Sequence, residues 1–313
     1  MTSRRNPNWR FARLWPQRHP RAGENEAALG GSTLGVEVTE PALAARCGLG
    51  NIDPQHGGGN PAQAAIEAAL DWPVPPDGTT IVTIRQDADA LGAMAVLLMR
   101  ARGLAIAGIA AGRVAQIAHW DKLALGRWTD WRLAHPPLFR PARSVDLGGR
   151  PLALQAINAV VRNHAIRFDA RVEAVADWLA GAPPPRHGVA AALAHEARLL
   201  ADWNAGRIGI ETAAGGRLAL LRAASGSASA LDLAYRLAPV VVAELQLPAG
   251  RKLTVAQFEP GWLDMPRLLD DLSAREAGWG GSPTIIGSPQ GISSFIELPR
   301  LFEMARAHLV QHS

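Results

Sequence analysis

The sequence predicts an α/β fold: a doubly wound, mainly parallel sheet domain followed by a smaller α/β domain, with a cleft between them. Three observations carry that expectation. Short apolar runs alternate with helix-length segments from Leu34 onward; a composition with 48% hydrophobic residues, 31 Gly and 23 Pro suits strands and helices joined by short loops; and 313 residues suffice for two separate cores. The expected boundaries are an Arg-rich, disordered tail over 1–30, the first domain with a helical connector over 31–200, and the smaller domain over 210–313.

The elements follow in order. The segment Leu34-Gly-Val-Glu-Val-Thr reads as a strand, 60–70 as a helix entered through Pro61, 80–85 as a second strand and 90–102 as a second helix. Residues 155–203 read as helical with a break at Gly181-Ala-Pro-Pro-Pro. In the second domain, 217–223 reads as a strand, 228–237 as a helix, and 239–245 with 252–258 as strands joined by Leu-Pro-Ala-Gly. A helix over 265–276 and a final helix bearing Phe295, Leu298, Leu301, Phe302 and Leu309 complete it, with Ser293 or Ser294 as the cap. The pattern implies a sheet with helices on one face.

Charge is concentrated at the start. Arg4, Arg5, Arg10, Arg13, Arg18 and Arg21 precede any acid, and without those six charges the net charge falls from +4 to −2. A slightly acidic body does not suit a dedicated duplex binder, so nucleic acid is an expected partner only through the tail or a local groove. Trp9, Phe11 and Trp15 interleave with the arginines; the tail is either a disordered leader or a segment that docks on RNA, an acidic partner or the body. No apolar run approaches the roughly 20 residues of a membrane span. Arg4-Arg5 lacks the apolar stretch of an export signal. The single Cys47 excludes an internal disulfide and fits a reducing, cytoplasmic compartment; it reads as a buried thiol rather than a nucleophile.

The chemistry-bearing stretch is Thr80-Ile-Val-Thr-Ile-Arg-Gln-Asp87-Ala-Asp89-Ala-Leu-Gly. Two carboxylates at the end of an apolar strand can converge on Mg²⁺ or Mn²⁺, while the helix behind them offers N–H groups to a phosphate. Asp is also the residue type that caps a helix, and either reading satisfies the spacing. Upstream, Asn51-Ile-Asp53-Pro-Gln-His56 followed by Gly57-Gly-Gly places two further metal-ligand types in a glycine-rich loop, or forms a plain turn. Asp121, in His119-Trp-Asp121, is another candidate carboxylate. Near the C-terminus, Gly280-Gly281-Ser282 and Gly287-Ser288-Pro-Gln290-Gly offer backbone N–H groups and hydroxyls to a phosphate, or make tight turns.

These segments together resemble the DHH phosphoesterase superfamily, named for its Asp-His-His motif. The resemblance extends over most of the chain after residue 30 and is close in detail at Asp87-Ala-Asp89. It implies that Asp53, His56, Asp87, Asp89 and Asp121 hold Mn²⁺ or Mg²⁺, with Asp87, Asp89 and His56 at the chemistry. It also implies that Gly280, Gly281, Ser282, Ser288 and Gln290 of the second domain hold the substrate. The implied activity is metal-dependent hydrolysis of a phosphodiester or phosphoanhydride in a phosphorylated small molecule or nucleotide, with a homodimer as a compatible assembly. The sequence departs from the family in three places: Thr83 stands where the family has a ligand His, Pro54-Gln55 interrupts Asp-His-His, and Asp53 precedes Asp87 rather than following it. Those departures point to the alternative, a catalytically inactive relative that binds a nucleotide or other phosphorylated ligand.

Overall fold

A computed structural model describes residues 7–17, 19–54, 63–122, 127–129, 152–223, 230–247, 250–289 and 293–311. They divide into two units, one within Met1–Asp121 and Leu152–Ala192, the other within Lys122–Pro151 and Leu193–Ser313. The division therefore falls earlier than the 200–210 boundary expected from sequence. No helix among the described residues is long and apolar enough to cross a membrane.

The first unit contains β1 (Arg10–Arg13), β2 (Thr33–Val36), α1 (Pro41–Ala44), β3 (Asn51–Ile52), α2 (Ala65–Asp71), β4 (Thr80–Thr83), α3 (Ala88–Ala101), α4 (Ile109–Asp121), α5 (Leu152–Val161) and α6 (Phe168–Leu179). Its four strands run parallel in the order β1-β4-β2-β3. Side chains alternate across a strand, so Ile81 of β4 enters one core with Leu34, Val36 and the helices α2 to α6, while its neighbour Val82 enters another with Leu14, Val38, Leu43 and Cys47. Both faces are covered, as a parallel sheet requires. Helix α3 is buried from Ala88 through Met99, which is why its sequence is apolar on every side.

The disordered tail expected over 1–30 is corrected from its seventh residue on. Arg10–Arg13 is an edge strand in parallel register with Thr80–Thr83, and Leu14 is fully buried. The physical reason is a period-two pattern masked by arginines: Trp9 and Phe11 pack on one core while Ala12 and Leu14 pack on the other. The Trp9 indole N–H also donates to the Pro76 carbonyl at 2.9 Å.

Helix α7 (Arg186–Asn204) leads into the second unit, which contains β5 (Ile208–Ala213), β6 (Leu218–Ala223), α8 (Ala230–Tyr235), β7 (Val240–Leu247), β8 (Gly250–Gln257), α9 (Met265–Ser273), β9 (Gly280–Ser282), β10 (Ile285–Gly287) and α10 (Leu298–Ala307). Its sheet has the order β5-β6-β7-β8-β10-β9, with β6 and β7 parallel and the other pairs antiparallel. The expectation of helices on one face is also corrected. Ala219, Val241 and Ala243 pack with Leu231 and Tyr235 of α8, while Leu218, Val240 and Val255 pack with Leu268 of α9 and Leu301 of α10. Strands apolar on both sides need a cover on both sides.

Candidate active site at the carboxyl edge of the parallel sheet

Parallel register sends the ends of all four strands of the first unit to one edge. Arg13 lies opposite Thr83, Gly35 opposite Val82, and Val36 opposite Ile52. Glu37, Asp53 and Arg85 therefore leave the sheet on the side where ligands of parallel α/β sheets bind. Glu37 is 1% exposed and has φ of +48°, a left-handed conformation uncommon for a residue with a Cβ. Its N–H bonds the Ile52 carbonyl at 2.9 Å, and the next residue, Val38, is gripped by the Asn51 side chain, which accepts from the Val38 N–H at 3.2 Å and donates to its carbonyl at 3.1 Å. A Cβ on Gly35 would stand 2.5 Å from the Asn51 Oδ1, so glycine there lets Asn51 reach across. Asn51 thus braces the backbone that carries Glu37.

The aspartates of the Asp-X-Asp segment each do structural work. Asp87 is the N-cap of α3, accepting from the Ala90 N–H at 3.0 Å, and pairs through its other oxygen with the Arg85 Nε at 3.1 Å. Asp89, 2% exposed, accepts from the N–H groups of Ala65 and Ile66 at 2.8 and 2.9 Å. It caps α2 from the first turn of α3, pinning the two helices together. Thr83 spends its hydroxyl on the Arg85 backbone, accepting from the N–H at 3.0 Å and donating to the carbonyl at 2.9 Å. It turns the chain after β4.

Charge sets this edge apart. Burial, reinforced by Asp87, pushes Glu37 well above the usual carboxylate range. Burial, with Asp121 and Asp87 adding to it, does the same to Asp89. Burial also acts upward on Asp87, but Arg85, the Ala90 N–H, Arg162 and Glu37 together hold it below its ordinary value. Arg85 is kept firmly charged by Glu37 and Asp87; its Nη1 lies 3.5 Å from Glu37 Oε1. Four carboxylates, Glu37, Asp87, Asp89 and Asp121, thus feel one another, with the Arg85 guanidinium beside Glu37 and Asp87. The second oxygen of Glu37 is buried with no hydrogen bond. Arg85 and the backbone N–H groups offset part of the cost of burying these groups, which is usually several kcal/mol for an ion left without compensation.

Of the residues expected at the site, Asp87, Asp89 and Asp121 fall into this electrostatic cluster, and Asp53 leaves β3 beside Glu37 on the same edge. His56 and Gln290 lie outside the described residues. Among the described residues, no three His, Cys, Asp or Glu side chains stand close enough to hold one ion together. Sequence alone does not single out Glu37 and Arg85. Their only local signature is a lone acid inside the apolar run from Leu34 to Val38 and a lone base ending the run from Ile81 to Ile84.

The glycine-rich segment of the second unit is a different object. Gly280–Ser282 and Ile285–Gly287 are the two strands of an edge hairpin, β10 pairing with β8. Gly281 has φ of +148°, and a Cβ there would lie 2.9 Å from the Ile286 Cα. The Ser282 and Thr284 hydroxyls bond each other at 3.1 Å. Ser288 is buried, its hydroxyl accepting from the Leu253 N–H at 3.1 Å and its carbonyl accepting from Lys252 Nζ at 2.6 Å. Of the residues expected to hold a phosphate, Gly280, Gly281 and Ser282 thus form one strand of a hairpin in which Gly281 is sterically required, and the Ser282 and Ser288 hydroxyls bond within the fold.

No family model matches the chain, and no curated protein matches it. Among solved structures it is similar to a pGpG-specific phosphodiesterase, PggH from Vibrio cholerae, with 10% identity and a TM-score of 0.36 over 68% of this chain and 75% of that one. A likeness that loose fixes neither fold nor chemistry.

Proposed function

We propose that this protein is a divalent-cation-dependent phosphoesterase whose reaction takes place at the carboxyl edge of the four-stranded sheet. The observation that carries the reading is the cluster of Glu37 and Asp89, both buried, with the half-buried Asp87 and Asp121, in which burial and like charge drive the first two toward the neutral acid. A hard cation relieves that repulsion, and oxygen donors are the ligands Mn²⁺ and Mg²⁺ select.

The donor types suit such an ion, which would have to draw the carboxylates closer together than they stand among the described residues. Glu37 offers a buried oxygen with no hydrogen bond. Asp87 and Asp89 use their oxygens on N–H groups and Arg85, yet each carboxylate oxygen keeps a second lone pair. Asp53 and Asp121 would complete the set, with His56 beyond the described residues. When bound, a divalent cation supplies neutralisation of the phosphate ester and lowers the pKa of water toward neutrality. The chain's own residues do the rest. Arg85 keeps Glu37 and Asp87 oriented, Asn51 fixes the strained turn that presents Glu37, and the double acceptance by Asp89 keeps α2 and α3 in register.

One observation favours the second reading, a phosphorylated-ligand binder without turnover. Arg85 already stands as a cation between Glu37 and Asp87, at 3.5 and 3.1 Å, and partly meets the demand that a metal would meet. Hydrolysis separates the two. The wild-type protein, assayed with Mn²⁺ against chromogenic phosphodiesters and against dinucleotide and phosphoanhydride substrates, is expected to turn over at least one class, and Asp87→Asn to abolish it. A wild-type protein that binds a nucleotide yet hydrolyses none of them with Mn²⁺ present would favour the binder.

A further inference from the structure

The same edge of the first unit carries a concentration of positive charge that the carboxylates do not explain. Arg13 is the last residue of β1, opposite Thr83 of β4. Its guanidinium lies 3.6 Å from the centroid of the Trp15 ring, which also receives Arg21 at 4.3 Å and stacks on His19 at 4.3 Å. The indole orients this guanidinium but supplies no negative charge. Among the described residues Arg13 has no carboxylate partner, and its Nε is buried without a hydrogen bond.

Arg171 approaches from α6 and is 4% exposed. Its Nη1 is anchored on Gln86 Oε1 and on the Val161 carbonyl, each at 2.7 Å, and the Phe168 ring centroid lies 4.8 Å from its Cζ. Its Nε is likewise buried with no acceptor. The two arginines repel each other: burial first, then Arg171, depresses the pKa of Arg13. Burial, Arg13 and Arg171 in that order also depress the exposed His164. Two buried guanidinium N–H groups without acceptors, on mutually repelling cations, form the mirror image of the neighbouring carboxylate cluster.

We propose that Arg13 and Arg171 form an anion-binding subsite that takes a phosphate group, reached from solvent beside His164. A guanidinium offers a planar fork of N–H donors matched to phosphate oxygens, and two forks together suit a tetrahedral oxyanion better than a flat carboxylate. Such an anion supplies acceptors to both orphaned Nε–H groups and screens the repulsion. Gln86, which holds Arg171, precedes Asp87 in the chain, so a phosphate held here lies on the edge that carries the acid cluster. The subsite stands on the geometry of the first unit alone and holds whether the chain hydrolyses its ligand or only binds it.

The test uses the full chain in chloride buffer with EDTA, so that neither a divalent cation nor a scissile bond enters and a failure of hydrolysis leaves the result untouched. Inorganic phosphate is titrated by calorimetry and by thermal unfolding, with acetate as the control. Phosphate is expected to bind and to raise the Tm, acetate to do neither. Arg13→Gln is expected to raise the Tm in phosphate-free buffer, because it removes one of two repelling charges, and to weaken phosphate binding at least tenfold. A merely structural arginine would instead lower the Tm on substitution. Should Arg13→Gln not fold, Arg13→Lys, which keeps the charge and loses the fork, carries the same comparison and is expected to weaken phosphate severalfold. A wild-type protein indifferent to phosphate, equal binding of acetate, or a variant that binds phosphate as the wild type does would each overturn the proposal.

Discussion

The carboxyl edge of the parallel sheet and the β9–β10 hairpin of the mixed sheet are alike in sequence, since both are polar, glycine-flanked segments that could meet a phosphate. Their energetics are opposite. In the hairpin, the Ser282, Thr284 and Ser288 hydroxyls are all bonded within the fold, and the glycine is required by backbone packing. At the sheet edge, Glu37 keeps a buried oxygen without a hydrogen bond on a strained backbone, and like charges crowd one another. A polar group whose environment is fully explained by folding gives no reason to seek a ligand. One held at unrelieved energetic expense does.

Substitutions in the two regions should therefore differ in kind. The largest effect is expected from Gly281→Val, which forces a Cβ against the backbone of Ile285 and Ile286 at a φ that favours glycine. It should destabilise the second unit by about 3 kcal/mol or more in urea denaturation. If it folded normally and lost only ligand binding, the hairpin would be a ligand loop after all. Next is Asp89→Leu, which strips the acceptor from the Ala65 and Ile66 N–H groups. A loss of about 2 kcal/mol is expected, and an unchanged midpoint would show that the α2–α3 link carries no stability.

Glu37→Gln should act in the other direction. Because the folded-state pKa of Glu37 is raised, its contribution to stability is complete below the ordinary glutamate pKa and is lost as pH rises through the raised value. With EDTA present, Glu37→Gln is therefore expected to be more stable than the wild type by about 1 kcal/mol at pH 8, with the difference vanishing in acid. Asp87 has the opposite sign: its pKa is lowered, so its contribution is lost as pH falls. A Glu37→Gln variant less stable than the wild type at pH 8 would mean the glutamate is fully compensated. The smallest effect concerns Cys47. Burial pushes its thiol up to about 11, and it contacts the Leu43 carbonyl at 3.7 Å, so iodoacetamide should leave it unmodified in the native protein and label it on unfolding. Rapid native labelling would contradict a structural role.

Much of this is legible in the chain because apolar periodicity reports burial directly. The strand at Thr80, the helix after Asp87 and the strand pair around Gly250 can be read to within a few residues. What sequence conceals has physical causes. The β1 strand is hidden because its arginines dominate composition while its apolar residues alternate at period two, a pattern of only a few side chains. Glu37 reads as one polar position in a strand, since a raised pKa depends on which carboxylates the sheet brings alongside it. Asp89 reads as a metal ligand or as a cap on its own helix. Its bonds run instead to α2, more than 20 residues away, and only a tertiary contact can reveal such a link. Arg13 and Arg171 are far apart in sequence, and no local pattern pairs them.

The cation proposed for the carboxylate edge can be sought by thermal unfolding of the metal-free protein with added Mn²⁺. A rise in Tm that saturates with Mn²⁺ is expected, worth about 2.7 kcal/mol at a hundredfold excess over Kd, with Glu37→Gln weakening the Mn²⁺ response at least tenfold. An unchanged Tm up to millimolar Mn²⁺, or an equal response from Glu37→Gln, would contradict it.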